Sequence, residues 1–413
     1  MIGVRLCRMQ TNTGVNSWFP GFSLWTVDKL LNAINQWRNT SVFERSKIVI
    51  GKGKEKKIKQ MKMQNSVLLM LGNFIRPYTT TNAFGRKLFQ RYYVQQILHK
   101  HSEIDTHPYK QIHPWRSLTE FSNDLVRNVI YNNDGLVALN KPYGIPHTRT
   151  EVKRAKHFIP NAVEYTLHDA LPYIAEKLNY PKLIVVRKPE KYMTGVTLLA
   201  ANPQVESKIE LSLRRGNNFT KNYWAVTTSL PNRLMGKERL ALKSVSNPQN
   251  NNKKPVLITS WSNNSHKRGD IKILNFDFKV LTSSTSNSCS LLQIRASSNK
   301  QHAIRLFAAT FLYAPILGDN VYGSRIQQIG NVYVRVNPFL ERADSPPVLD
   351  KTICRLLAVQ SDQEHIVPSH IHLQSINLIS YNKNEDLKID APLIPPLDWT
   401  CNQLGLKYSL KNE

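Results

Sequence analysis

Three observations on this 413-residue chain predict an α+β fold with a mixed, mainly antiparallel β-sheet flanked by helices. Short apolar runs of strand length follow one another through the chain, few stretches carry helical spacing, and no internal repeat is visible. The composition, 41% hydrophobic with 9% aromatic residues, can bury a substantial core in one large domain or two smaller ones.

Residues 103–125 read as a polar connector with Pro108 and Pro114. Asp124 to Asn140 mixes a short helix with an apolar strand, Leu136-Val137-Ala138-Leu139. Pro142, Gly144 and Pro146 then force a rigid turn before His147. Between Ala162 and Asn179, Leu167, Leu171, Ile174, Ala175 and Leu178 recur at helical spacing. Leu183-Ile184-Val185-Val186 is a buried-strand run feeding the Lys188-Pro189-Glu190 loop, and Val196 to Ala201 is a second strand. Pro203 to Arg215 reads as a helix, with Pro at its start and Gly216 just past its end. Tyr223 to Thr228 is aromatic and β-branched, hence a strand, and Asn247 to Lys254 is a solvated loop. Further strands are expected at Val256–Trp261, Ile271–Leu281 and Leu291–Arg295, with a hairpin loop at Ser283–Ser288. A helix at Gln301–Phe311 and a late strand at Ile371–Ile379 complete the order.

The charge is unusual: 56 Lys+Arg against 29 Asp+Glu give +27. A surplus of this size favours an anionic partner, most often nucleic acid. Residues 1–102 hold 17 Lys/Arg and 3 acids, a net +14, while the rest hold 39 and 26, a net +13. The body is therefore basic in its own right. Lys56 to Ser102 contains no acid and nine Lys/Arg, with hydroxyls at Ser66, Thr79, Thr80 and Thr81. That composition suits a mitochondrial presequence over 61–102 and a matrix location; a basic arm gripping RNA phosphates is the alternative. Residues 1–60 show no clear domain and are expected to be a disordered extension, with Met61 or Met63 as other starts. Four scattered cysteines (Cys7, Cys289, Cys354, Cys401) have neither metal nor redox spacing. The loose cluster His99, His101, His107 and His113 lacks metal-site spacing. No apolar run approaches membrane-spanning length; Val67-Leu68-Leu69-Met70-Leu71 is far too short.

Five short segments occur in a telling order. They are Asp134-Gly135-Leu136-Val137-Ala138-Leu139-Asn140-Lys141-Pro142-Tyr143-Gly144, Arg187 to Gly195, Lys221-Asn222-Tyr223, His302-Ala303-Ile304-Arg305 and Pro315-Ile316-Leu317-Gly318-Asp319. Their order and spacing resemble the RluA-type RNA pseudouridine synthases, over roughly residues 125–380. The resemblance implies a pseudouridine synthase-like catalytic domain there, preceded by a connector at 103–124 and followed by a tail at 381–413. It also implies no cofactor and no metal, an RNA partner presenting a single-stranded or looped uridine, and a monomer. In the family, the second segment reads Arg-Leu-Asp-x-x-Thr-Ser-Gly and carries the catalytic aspartate. Alignment through Gly195 puts Glu190 in its place and Lys188 where Arg is usual. Met193-Thr194-Gly195 replaces Thr-Ser-Gly, and Asn299-Lys300-Gln301 replaces Gly-Arg-Thr. These departures resemble a mitochondrial subgroup grouped with synthases acting on mitochondrial mRNA or ribosomal RNA.

Pseudouridine formation detaches uracil from C1′ of its ribose, turns it and rejoins it through C5. The site needs an ionised carboxylate against the sugar, a cation to keep it charged, and a flat surface for the base. The resemblance assigns these roles to Glu190, Arg305 and Tyr223, a guanidinium being suited to hold a carboxylate by paired hydrogen bonds. It further implies that aspartate at position 190 preserves or raises activity. Lys141, Lys188, Lys221, Lys300 and His302 are the expected RNA contacts. Three readings stay open: a synthase, a catalytically impaired protein of the same fold that binds RNA or assists mitoribosome assembly, or a generic basic RNA-binding scaffold with no uridine pocket. RNA-granule or ribosome-assembly proteins are the partners expected.

Overall fold

The structure, a computed structural model, describes residues 107–149, 157–216, 219–247, 249–330, 332–382 and 385–408. The expected extension 1–60 and presequence 61–102, with Cys7, His99 and His101, lie outside these residues.

Helix α1 (Leu118–Arg127) starts at Ser117, whose side chain accepts from the Glu120 amide. Strands β1 (Val129–Asn133) and β2 (Leu136–Lys141) then pair around Asp134-Gly135, both at positive φ, as a two-residue hairpin loop requires. Helix α2 (Leu167–Lys177) opens with a capping box between Thr166 and Asp169. Strands β3 (Ile184–Arg187) and β4 (Thr194–Ala200) flank the Glu190 loop. Helix α3 (Pro203–Arg215), capped by Asn202, leads to β5 (Lys221–Thr227). Next come β6 (Met235–Ser246), β7 (Lys253–Ile258), α4 (Asn263–Lys267), β8 (Ile271–Ser284) and β9 (Cys289–Ala296). Helix α5 (Ala303–Thr310) is followed by a small hairpin of β10 (Ile326–Ile329) and β11 (Val332–Arg335), then by α6 (Lys351–Leu356). Strands β12 (Ile371–Asn382) and β13 (Glu385–Asp390) and helix α7 (Pro395–Gln403) end the described fold.

Among the described residues the main sheet has eleven strands, in the path β1-β2-β4-β12-β5-β9-β8-β6-β7, with β3 on β4 and β13 on β12. Every pairing in it is antiparallel except β4 with β12, where His372 faces Thr194 and Leu373 faces Gly195. Gly195 sits at φ 110°, and a Cβ there would lie 2.2 Å from the Leu373 carbonyl oxygen. Gly195→Ala is therefore expected to cost about 2–4 kcal/mol, from left-handed strain plus overpacking against backbone. A urea midpoint equal to the parent's would refute it. The joint is also tied by Thr194 Oγ1 and His372 Nδ1, 2.7 Å apart. Burial pushes the His372 imidazole down to about 4.

The α+β architecture and mainly antiparallel sheet agree with the expectation, but several local readings need correction. The helix expected within 124–140 lies at Leu118–Arg127, inside the expected connector. That segment also holds a 3-10 turn, Pro108–Gln111, and buries Tyr109 and Phe121 completely. The expected 381–413 tail supplies β13 and α7, burying Leu397, Cys401 and Leu404. Strand β6 was not foreseen. Cys289, Cys354 and Cys401 are free and buried. Among the described residues no group of three metal-binding side chains occurs, and no helix is long and apolar enough to cross a membrane.

Candidate active site

The site is built on the loop between β3 and β4, whose carbonyls are gripped one after another. Met193 N donates to Glu190 O at 3.1 Å, closing a turn. Gly144 N donates to Lys191 O at 2.9 Å, and the Lys141 ammonium reaches the same oxygen at 3.3 Å. Arg305 Nη2 donates to Tyr192 O at 3.3 Å. The Asn-Lys-Pro-Tyr-Gly turn and helix α5 thus fix the loop backbone from two sides, leaving the Glu190 side chain to project.

Lys141 is not placed to meet RNA. It is 1% exposed, and its Nζ also donates to Pro142 O at 3.0 Å and Ile145 O at 3.2 Å. A buried ammonium survives only when its protons are matched in this way. Lys188 is half-buried on the loop. Lys221, half-buried at the start of β5, has its amine pushed down by burial and by the neighbouring Arg187 charge. The Lys300 side chain lies outside the described residues.

Glu190 and Arg305, expected within hydrogen-bond reach directly or through one water, each make another pair. Glu190 Oε2 meets His302 Nδ1, with side chains 26% and 42% exposed. Arg305 Nη1 donates to Asp319 Oδ1 at 3.3 Å, the two side chains being 1% and 0% exposed. Nη1 also lies 3.3 Å from His157 Nε2, so both terminal guanidinium nitrogens are engaged. Asp319 Oδ1 further accepts from the amides of Val321 (3.0 Å) and Tyr322 (3.2 Å). Asp319 was missed by the sequence reading. Its segment belonged to the ordered set, but nothing in the chain revealed which cation it would face.

Tyr223 is 2% exposed and belongs to the main core. Burial, and then the Glu190 charge, push its phenol up, so Glu190 and Tyr223 share one neighbourhood. Burial likewise pushes the Tyr322 phenol up to about 12; Asp319, Arg305 and Glu190 also act on it electrostatically. Thus the structure brings Glu190, Tyr223, Arg305 and His302 together around Tyr322 and Asp319. The arrangement offers one partly exposed carboxylate beside aromatic surfaces, over a buried ion pair.

The sequence model described as "RNA pseudouridylate synthase" matches residues 135–310. Over these residues the chain is similar to the RNA pseudouridylate synthase family. The human mitochondrial mRNA pseudouridine synthase RPUSD3 is 27% identical over 342 residues, covering 81% of this chain and 92% of the relative. The mouse mitochondrial pseudouridylate synthase RPUSD4 is 24% identical over 300 residues, covering 70% of this chain and 71% of its own. The solved structure of human RNA pseudouridylate synthase domain containing 4 superposes with a TM-score of 0.52 at 20% identity. It covers 70% of this chain and 97% of that one. That likeness supports the pseudouridine synthase fold of the domain.

Proposed function

We propose that this chain isomerises uridine to pseudouridine in mitochondrial mRNA or ribosomal RNA. The observation that carries the reading is the Glu190 carboxylate, projecting from a loop pinned at three successive carbonyls and sharing its neighbourhood with Tyr223. Held in this way, Glu190 is the group proposed to act on C1′ of a uridine that has left its stack, with the buried Tyr223 ring packed in the core nearby. The base turns, C5 bonds to C1′, the C5 proton leaves and N1 gains one, so the reaction balances as an isomerisation. The names of the relatives and the acid-free stretch from Lys56 to Ser102 support a mitochondrial, matrix location.

Site-resolved pseudouridine mapping of mitochondrial RNA, with and without the protein, tests the reading. Loss of signal at one or more uridines is expected; identical maps would sink it. The second reading, an RNA-binding or mitoribosome-assembly factor without turnover, is favoured by one observation: the carboxylate is a glutamate not paired with Arg305. It predicts unchanged maps alongside retained RNA binding.

Residues 103–413 are expected to bind single-stranded RNA in a salt-sensitive manner, because they carry a net +13 of their own. Each phosphate contact should contribute a slope of roughly −0.7 in log affinity against log salt. A flat response in a filter-binding titration would show that this charge is not used on RNA.

A further inference from the structure

We infer that His302 is the positioning residue that orients the Glu190 carboxylate, while Arg305 and Asp319 form a strut beneath it. The inference rests on the synthase reading above. Three observations on the turn between β9 and α5 carry it.

The first is that both Nη atoms of the alternative cation are already engaged. Arg305 is buried, and its Nη atoms are held by Asp319, His157 and the Tyr192 carbonyl. Turning the guanidinium towards Glu190 would strand a buried aspartate, the kind of rearrangement that low-dielectric pairs resist.

The second is the backbone that presents His302. Gln301 (φ 54°, ψ 35°) and His302 (φ 56°, ψ 37°) are both left-handed. Two successive non-glycine residues in this region cost of order 1–3 kcal/mol each, and such strain persists only where the surroundings over-determine it. Here α5, buried along its whole length, fixes one side, and the Tyr322 hydroxyl holds Gln301 O at 3.4 Å. Tyr322 also packs against the His302 ring, with centroids 5.9 Å apart. The strained turn ends with the imidazole on Glu190.

The third is reach. Glutamate carries its carboxylate about 1.5 Å further along the chain than aspartate. The longer side chain at 190 and the imidazole at 302 meet; with aspartate that contact would open. The glutamate substitution and the left-handed histidine therefore work as one device, in which the imidazole fixes the direction of the carboxylate.

The test uses His302→Asn, since asparagine tolerates the left-handed turn but lacks the ring. Turnover at saturating RNA should fall about a hundredfold, the scale of a misplaced reacting group, with RNA affinity held within about threefold. Weakened RNA binding at unchanged turnover would overturn the inference and return His302 to a phosphate contact. A second readout does not need turnover. A carboxyl released from its hydrogen bond is more open to water-soluble carbodiimide, so Glu190, followed by peptide mass spectrometry, should react faster in His302→Asn than in the parent. Arg305→Lys, which keeps a cation beside Asp319 but loosens the Tyr192 carbonyl, should raise that rate less than His302→Asn does. Equal rates in His302→Asn and parent, or a rise confined to Arg305→Lys, would overturn the pairing. A parent protein that forms no pseudouridine sinks the synthase reading alone, and the labelling comparison still decides the pairing.

Discussion

Glu190→Ala is expected to reduce pseudouridine formation by at least about a thousandfold, the scale of losing a main transition-state charge, while RNA affinity stays within about threefold. The carboxylate is the partly exposed acid that the pinned loop presents beside Tyr223 and Tyr322, and no other acid is so placed among the described residues. Asp319 cannot replace it, being fully buried against Arg305. Glu190→Asp separates two geometries. Family resemblance alone expects aspartate to preserve or raise activity. The observed contact expects the opposite, because retraction by about 1.5 Å opens the His302 bond, and a 1 Å misplacement costs on the order of a hundredfold. Turnover of Glu190→Asp above the parent's would mean that the loop shifts back to the family geometry in the RNA complex. Unchanged turnover in Glu190→Ala would end the synthase proposal.

Breaking the buried pair below the site has the largest expected effect on stability. Arg305→Met strands the Asp319 carboxylate, and Asp319→Ala strands the guanidinium and also the amides of Val321 and Tyr322. Each is expected to cost about 3–5 kcal/mol, because one charge is left buried without its partner. Asp319→Ala should stand at the upper end, given the two extra amides. Combining Arg305→Met with Asp319→Asn should cost less than the two single changes added together, since neither charge is then stranded. Denaturant midpoints check this, and strict additivity would show that the two side chains do not act as a pair. Arg305→Met also releases the Tyr192 carbonyl, so residual turnover should fall together with stability.

The strands that were legible in the sequence are those with continuous apolar burial. Leu136 to Leu139 and Val196 to Ala200 are buried at every position, which an apolar run announces. Strand β6 was not legible: only Leu240, Ala241 and Leu242 are buried, amid Lys237, Glu238, Arg239 and Lys243. The segment around Tyr109 and Phe121 looked polar because its few apolar residues are far apart, yet each fills a separate pocket. At the site, the ordered segments pointed to Glu190, Tyr223 and Arg305, which act electrostatically on one another or on Tyr322 in the fold. The partner choice stayed hidden, because it depends on a left-handed turn at Gln301 and His302. Residue types alone do not announce such a turn, and the sequence pattern starts a helix there. The Lys141 assignment failed for a related reason: composition shows a cation, but only packing shows whether its protons face solvent or carbonyls.

The lone parallel joint dictates an order of assembly. Thr194 and His372 are 178 residues apart, yet β12 is the strand that lies between β4 and β5 in the finished sheet. During synthesis, the chain must hold that central place open until its C-terminal portion emerges. Two strand edges wait unpaired meanwhile, and long-range pairing of this kind is slow and exposes sticky edges to other chains. The Glu190 loop feeds directly into β4, so its final shape awaits the same late arrival. A nascent or truncated polypeptide that stops short of Ile371 therefore lacks the keystone of its sheet, however well its earlier strands have formed.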